Sequence, residues 1–289
     1  MPGRLSCLGM AVALLGVSGC GRSDQGIRIE GSDTMVNVAQ AWAENYNQAH
    51  PEVKVQVLGG GSGVGIADLI DGNCDLANSS RKMEDKEIQR VKAKRSVEAK
   101  EHVVGYDALA VYVHKANPID SISLEELAEI YGERGKISKW PQLGIDSKVL
   151  GSEEITRVSR QNSSGTYAYF REAVLGKGRD YKLGSIDQSG SKDVIALIAN
   201  TPSAIGYSGM GYAAPGVKML RISKRKGEPG VFPTVENAKK GTYPITRPLL
   251  IYTAGEPDGR VKAFLDWILA REGQNVVLEL GFVPVGDHE

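Results

Sequence analysis

From residue 26 onward the chain switches repeatedly between two hydrophobic periods. "GIRIEG" alternates Ile27 and Ile29 with polar neighbours, as a half-buried strand does, and the next segment places Val36, Ala39, Trp42, Ala43 and Tyr46 at helical spacing. Asp33 or Thr34 is positioned to cap that helix. "HPEVKVQV" turns at Pro51 into a strand with Val53, Val55 and Val57 on one face. "GGGSGVGIADLI" is a glycine-rich loop entering a second helix, and "CDLANSS" is a short buried strand ending in hydroxyls. This β-loop-α-β-loop-α-β order over 26–81 predicts an α/β unit with a mostly parallel sheet.

Residues 82–101 mix acids and bases without a continuous apolar face, which predicts a solvated helix with no binding role. "HVVGYDALAVYVHKANP" follows as a strand or pair of strands stopped by Asn117 and Pro118. "SLEELAEIYGE" then reads as a capped helix with Leu124, Leu127 and Ile130 inward. The second half alternates in the same way, with strand "EITRVSR", loop "QNSSGT", helix "YAYFREAVLG", loop "QSG", helix "KDVIALIANT" and strand "AIGYSG". "GVKMLRI" adds a strand, and "RPLLIYT" precedes a last helix, "GRVKAFLDWILARE". Two such units in sequence predict two facing lobes. The closing strand and helix are too little for a third domain, so they are expected to dock on the first lobe. The chain then crosses between lobes near 104–107 and 243–249, giving residues 21–105 with 245–289 as one lobe and 106–244 as the other.

The first twenty residues stand apart from this pattern. One arginine, an apolar core over 5–17 and small residues before Cys20 read as an export signal, and the core is too short to span a bilayer. "VSGC" resembles the lipobox of bacterial lipoproteins, which implies lipid on Cys20 and a protein exported to the periplasm or cell surface and anchored there. Removal of the signal leaves Cys74 as the one thiol in the folded part, so no disulfide is expected. Roughly 265 remaining residues bury enough surface for one large domain or two ordinary ones. Lysine plus arginine equals aspartate plus glutamate at 35 each. That balance excludes a polyanion partner such as nucleic acid and requires any anion to be held by local geometry.

Three loops share one composition: "GSDT" with Ser32, Asp33 and Thr34, "GGGSGVG" with Ser62, and "NSSGT" with Asn162, Ser163, Ser164, Gly165 and Thr166. Each offers hydroxyls and glycine-permitted amides ahead of a helix start, where N–H groups lack intrahelical partners. Taken alone, each is an ordinary N-cap. Converging, they would grip a compact oxyanion, with Arg160 adding a planar fork matched to two of its oxygens. Neutral donors also cost less to bury than unpaired ions.

A serine hydrolase is the contrasting reading, with Ser163 or Ser164 as nucleophile of a phosphatase or esterase. "NSSGT" is not the Gly-x-Ser-x-Gly elbow, and His50, His102, His114 and His288 include no evident base partner. These histidines and Cys74 also lack the spacing of a metal site, so neither a metal nor a cofactor is expected.

Together, "GSDT", "GSGVGIADLIDGNCDLANSSR", "DALAVYVHKANP", "ITRVSRQNSSGTYAYF", "AIGYSG" and "YPITRPLLIYT" resemble the phosphate-binding proteins of bacterial ABC phosphate importers, over 27–284. The resemblance implies a two-lobed, type II periplasmic-binding-protein fold. Each lobe is a mixed, mostly parallel sheet flanked by helices, joined by two crossover strands. It also implies a monomeric, non-enzymatic receptor that binds inorganic phosphate in the cleft and delivers it to a membrane permease. The family's ligand loops fall on Ser32, Asp33, Thr34, Ser62, Ser79, Ser80 and Arg81 in the first lobe. In the second they fall on Arg160, Asn162, Ser163, Ser164, Gly165 and Thr166. Some members carry an aspartate where this chain has Ser80 and Arg81, and use it to accept the proton of monohydrogen phosphate. Here Asp33 is the acid within the matched loops, so it either takes that role or pairs with an arginine. Another tetrahedral oxyanion (sulfate, molybdate or tungstate) remains an alternative ligand. A sensory or adhesive lipoprotein that has kept the fold is another alternative role.

Overall fold

The computed structural model describes residues 26–286; the export segment, Cys20 and His288 lie outside them. The alternating start of the chain forms strand β1 (Gly26–Gly31), helix α1 (Val36–Ala49), edge strand β2 (Lys54–Gly60), helix α2 (Ser62–Asp71) and strand β3 (Leu76–Ser79). β1 runs parallel to both β2 and β3, and all four residues of β3 are buried. Helix α1 buries Val38, Ala39, Trp42, Ala43 and Tyr46 but has no side-chain cap. The expected cap residues, Asp33 and Thr34, are drawn instead into the interior described below.

Helix α3 (Asp85–Arg95) is the charged segment, and it turns only Glu87 and Val91 inward. Strand β4 (Ala99–His114) is one continuous strand of 16 residues. It is followed by β5 (Ser121–Ser123) and α4 (Leu124–Tyr131), the latter closed by a reciprocal Ser123–Glu126 capping box. The repeated pattern then gives β6 (Thr156–Arg160), α5 (Gly165–Phe170), β7 (Ile186–Gln188), α6 (Ser191–Ala199) and β8 (Ala204–Gly209). The run "GVKMLRI" divides at Leu220 into β9 (Val217–Met219) and β10 (Arg221–Ser223), and α7 (Val235–Lys239) is a further short turn of helix. β11 (Thr246–Ala254) precedes the C-terminal segment, whose single expected helix breaks at Ala270 into α8 (Gly259–Leu269) and α9 (Arg271–Glu279). The break lets α9 fold back on α1, where Trp42 Nε1 donates to the Gly273 carbonyl at 2.8 Å.

The main sheet has the order β2-β1-β3-β11-β4-β8-β6-β7. β4 joins its two ends: residues Ala99 to Ala108 pair antiparallel with β11, and Leu109 to Val113 pair with β8. β11 in turn pairs antiparallel with β3. The amino-terminal half (β2-β1-β3-β11) and the central half (β8-β6-β7) therefore share β4, and the chain crosses between them at Ala108/Leu109 and again on entering β11. Loops at the ends of β1, β3 and β6 face one another across the junction.

Candidate functional site

In the amino-terminal half, the sheet sends Ser32 and Thr34 from the end of β1, Ser62 from the start of α2, and Ser80 from the end of β3. All four are at most 2% exposed. Ser32 Oγ donates to Ser80 Oγ at 3.0 Å, and the Ser80 amide donates to Ser62 Oγ, also at 3.0 Å. From the central half, Ser164 and Thr166 enter at the start of α5, equally buried. That helix is held from beneath by Phe170, whose ring stacks on Tyr207 with centroids 3.8 Å apart.

The halves touch directly. Thr34 Oγ1 and Thr166 Oγ1 share a 2.8 Å hydrogen bond, the Gly63 amide donates to the Ser163 carbonyl at 2.9 Å, and Ser163 Oγ donates to the Gly60 carbonyl at 3.1 Å. Tyr212 OH donates to the carbonyls of Asp33 and Thr34 at 2.8 and 3.0 Å. Two glycines make this approach possible. Gly61 sits at φ +100°, and a Cβ there would lie 2.6 Å from the Ser163 carbonyl oxygen. A Cβ on Gly165 would lie 2.2 Å from Ser62 Oγ and 2.7 Å from Ser80 Oγ, so the backbone of α5 reaches the hydroxyls of the facing half.

Arg160 is fully buried, and burial pushes its pKa below the usual arginine range, with Asp33 acting in the opposite direction. The group stays protonated, as arginine does in proteins. Its Nη2 pairs with Asp33 Oδ2 at 2.9 Å and also reaches the Ser189 carbonyl; Nε reaches the Gln188 carbonyl, and Nη1 reaches Ser191 Oγ. Four of five guanidinium protons are thus engaged, leaving one for a ligand. Asp33 Oδ1 accepts the Gly60 amide at 2.9 Å, so Asp33 is tied on both oxygens.

The predicted residues do not all assemble. Ser32, Thr34, Ser62, Ser80, Ser164, Gly165 and Thr166 form one buried cluster, with Asp33 and Arg160 at its border. Arg81 makes a two-pronged pair with Glu87 at 2.7 and 2.8 Å and lies at the edge of the cluster. Asn162 is exposed. Ser79 Oγ bonds the Arg81 carbonyl. Ser164 Oγ caps α5 by accepting from the amides of Thr166 and Tyr167, so its own proton is what it can offer.

Two residues absent from the predicted set stand at the floor of the cluster. Arg247 on β11 and Asp107 on β4 are partners in strand register, 1% and 0% exposed, with Nε and Nη2 at 3.1 and 2.9 Å from Asp107 Oδ2. Arg247 Nη2 also donates to Thr34 Oγ1, and Nη1 donates to the Ser80 carbonyl, both at 3.3 Å. The signal was an arginine and an aspartate each inside an apolar strand run, "ITRPLLIY" and "VVGYDALAVY". A cavity of about 520 Å³ flanks the cluster and is lined by Ser80, Arg81, Lys82, Tyr169 and Arg247 among others.

Among the described residues, no histidine pairs with these serines: His102 contacts Thr253, His114 accepts from the Ala116 amide, and His50 lies beside Glu52. Groups of three or more metal-ligating side chains are likewise absent among the described residues, as is any helix long and apolar enough to cross a membrane.

The profile of the PBP superfamily domain matches residues 17–272. The "Phosphate-binding protein PstS" of Pseudomonas aeruginosa is 34% identical over 265 residues, covering 88% of this chain and 81% of that protein. The chain belongs to the PstS family of PBP-superfamily proteins. The Bacillus subtilis PstS, again named a phosphate-binding protein, is 34% identical over 263 residues, covering 90% of this chain and 81% of its own length. Among solved structures, a phosphate ABC transporter substrate-binding protein from Clostridium perfringens, crystallised with phosphate, superposes with a TM-score of 0.79. It is 28% identical and covers 90% of this chain and 100% of its own. The fold is therefore the two-lobed PstS fold, with β4 and β11 as the crossover strands, and the family is one of binding proteins rather than enzymes.

Proposed function

We propose that this PstS-family chain binds inorganic phosphate between its lobes and delivers it, as a monomer outside the cytoplasm, to the permease of an ABC importer. The two lobes are the amino-terminal half with β11 and the central half, and the first crossing falls at Ala108/Leu109, a little beyond the 105/106 boundary read from the sequence. Lipid on Cys20 holds the receptor to its membrane.

One observation carries the reading. Six hydroxyls, those of Ser32, Thr34, Ser62, Ser80, Ser164 and Thr166, are buried against one another from both sides of the junction. A buried hydroxyl cluster has to be matched by hydrogen-bonding partners, and a compact oxyanion accepts from all sides at once. Because the donors come from both lobes, the ligand favours the closed state by its differential contacts.

A receptor for sulfate, molybdate or tungstate has one feature in its favour. Both carboxylates near the cluster, Asp33 and Asp107, are engaged by arginines, and sulfate offers no proton that a free carboxylate would need to accept. Isothermal titration of the detergent-solubilised chain with phosphate, sulfate, molybdate and tungstate decides between them. Phosphate is expected to bind most tightly; silence toward all four ends the reading as an anion receptor.

A further inference from the structure

We propose that Arg247 and Asp107 form a positioning pair that sets the one hydroxyl proton left free by the Thr34–Thr166 bond toward the anion, and so determine affinity without belonging to the ligand loops. The inference rests on the anion-receptor reading above. A guanidinium only donates, so Thr34 Oγ1 accepts from Arg247 Nη2 at 3.3 Å. Thr34 and Thr166 then share one hydrogen bond at 2.8 Å. Whichever threonine donates across it, one hydroxyl proton of the two is left over, and the positive charge behind Thr34 favours its donation to a negative ligand. Without Arg247 the same two hydroxyls have no preferred direction and can present lone pairs to the anion.

Asp107 fixes Arg247 in that pose. Its Oδ2 holds both Nε and Nη2, while its Oδ1 accepts the Met210 amide at 3.2 Å. The guanidinium carbon also lies 5.6 Å from the Tyr169 ring centroid. Burying such a pair is costly, and an apolar pair of similar size would serve strand packing as well or better. Its contacts to Thr34 and to the Ser80 carbonyl give it a use that packing does not require. The pair stands on the crossover strands, where β4 leaves β11 for β8.

The test is a double-mutant cycle read by phosphate titration on wild type, Arg247→Gln, Thr34→Val and the double variant, with thermal melts of each ligand-free protein. Each single change is expected to weaken binding at least tenfold, and the double variant to be within threefold of the weaker single one, because Arg247 acts through Thr34. Arg247→Lys, which keeps one charged donor, should recover part of the loss. If Arg247→Gln does not fold, Asp107→Asn replaces it in the cycle: it should weaken binding in the wild-type background and have little effect in Thr34→Val. Losses that multiply in the double variant overturn the proposal. A wild-type chain that binds no tested oxyanion overturns the receptor reading instead, so the two failures are distinct.

Discussion

Replacing Gly165 with alanine adds one methyl group where the two lobes meet. At this position the backbone is ordinary helix, so alanine introduces no conformational strain and is intrinsically the better helix former, by up to about 1 kcal/mol. The cost arises across the cleft, where the new carbon would lie 2.2 Å from Ser62 Oγ and 2.7 Å from Ser80 Oγ. Both serines are fully buried and tied to each other through the Ser80 amide, so neither can turn aside freely. Overpacking of this kind costs about 1–3 kcal/mol, and here it applies only when the lobes are together. Destabilising the closed state by that amount reduces apparent affinity roughly 5- to 150-fold. The open protein pays nothing. Phosphate titration of Gly165→Ala should therefore show the loss, while the ligand-free protein melts within about 2 °C of wild type. Unchanged affinity would mean that α5 does not approach Ser62 and Ser80 in the bound state, and the closed-cleft geometry would be wrong. A large fall in melting temperature without ligand would place the clash within one lobe.

Asp33→Asn should weaken phosphate binding by roughly 10- to 150-fold, since a charge-assisted hydrogen bond between the lobes contributes about 1.5–3 kcal/mol. The ratio of phosphate to sulfate affinity should stay constant in the same titrations, because Asp33 is committed to Arg160 and the Gly60 amide; a collapsed ratio would make it the acceptor of the phosphate proton instead. Cys74 should be inert. Burial pushes its thiol up to about 12, with the nearby carboxylates of Asp68, Glu30 and Asp75 adding to the shift. In a chain with Cys7 and Cys20 replaced by serine, a thiol reagent at pH 8 should label Cys74 only after denaturation. The folded value lies above the unfolded one, so the contribution to stability is complete below about pH 8.5 and is lost as the pH climbs toward 12. Rapid native labelling at pH 8 would contradict that burial.

Local pattern was sufficient wherever structure is decided by neighbours in sequence. Ala39, Trp42, Ala43 and Tyr46 face inward as helical spacing predicts, although Val36, read on the same face, is only part-buried and Val38 is buried instead, and Ser123 with Glu126 closes α4 from three residues apart. The break at Ala270 was hidden because "WILARE" continues the helical period, whereas α9, beyond the extended Ala270, makes a tertiary contact from Gly273 to Trp42, 231 positions away. The site divides in the same way. Hydroxyls at loop ends were legible from composition, whereas the fate of each charged residue depended on a partner the sequence does not announce. Arg81 is paired with Glu87, six residues along, and Arg247 meets Asp107 only because β11 returns antiparallel to β4 across 140 residues.

That division bears on how the receptor holds an anion. Arg160 and Arg247 bring two positive charges to the cleft, and Asp33 and Asp107 bring two negative ones, so the four sum to zero before any ligand arrives. Two unpaired guanidinium groups there would bear a desolvation penalty in the empty closed state. Pairing removes that penalty and fixes the donor directions in advance, leaving Arg160 with a single uncommitted proton. The ligand's charge is then met by hydroxyls whose dipoles are already aimed. The site gains from an oxyanion because the hydroxyl protons not already committed to the Ser32–Ser80 and Thr34–Thr166 bonds find a charged acceptor. The arginines act through the geometry they impose on Thr34, Ser80 and the Gly60–Gly63 turn.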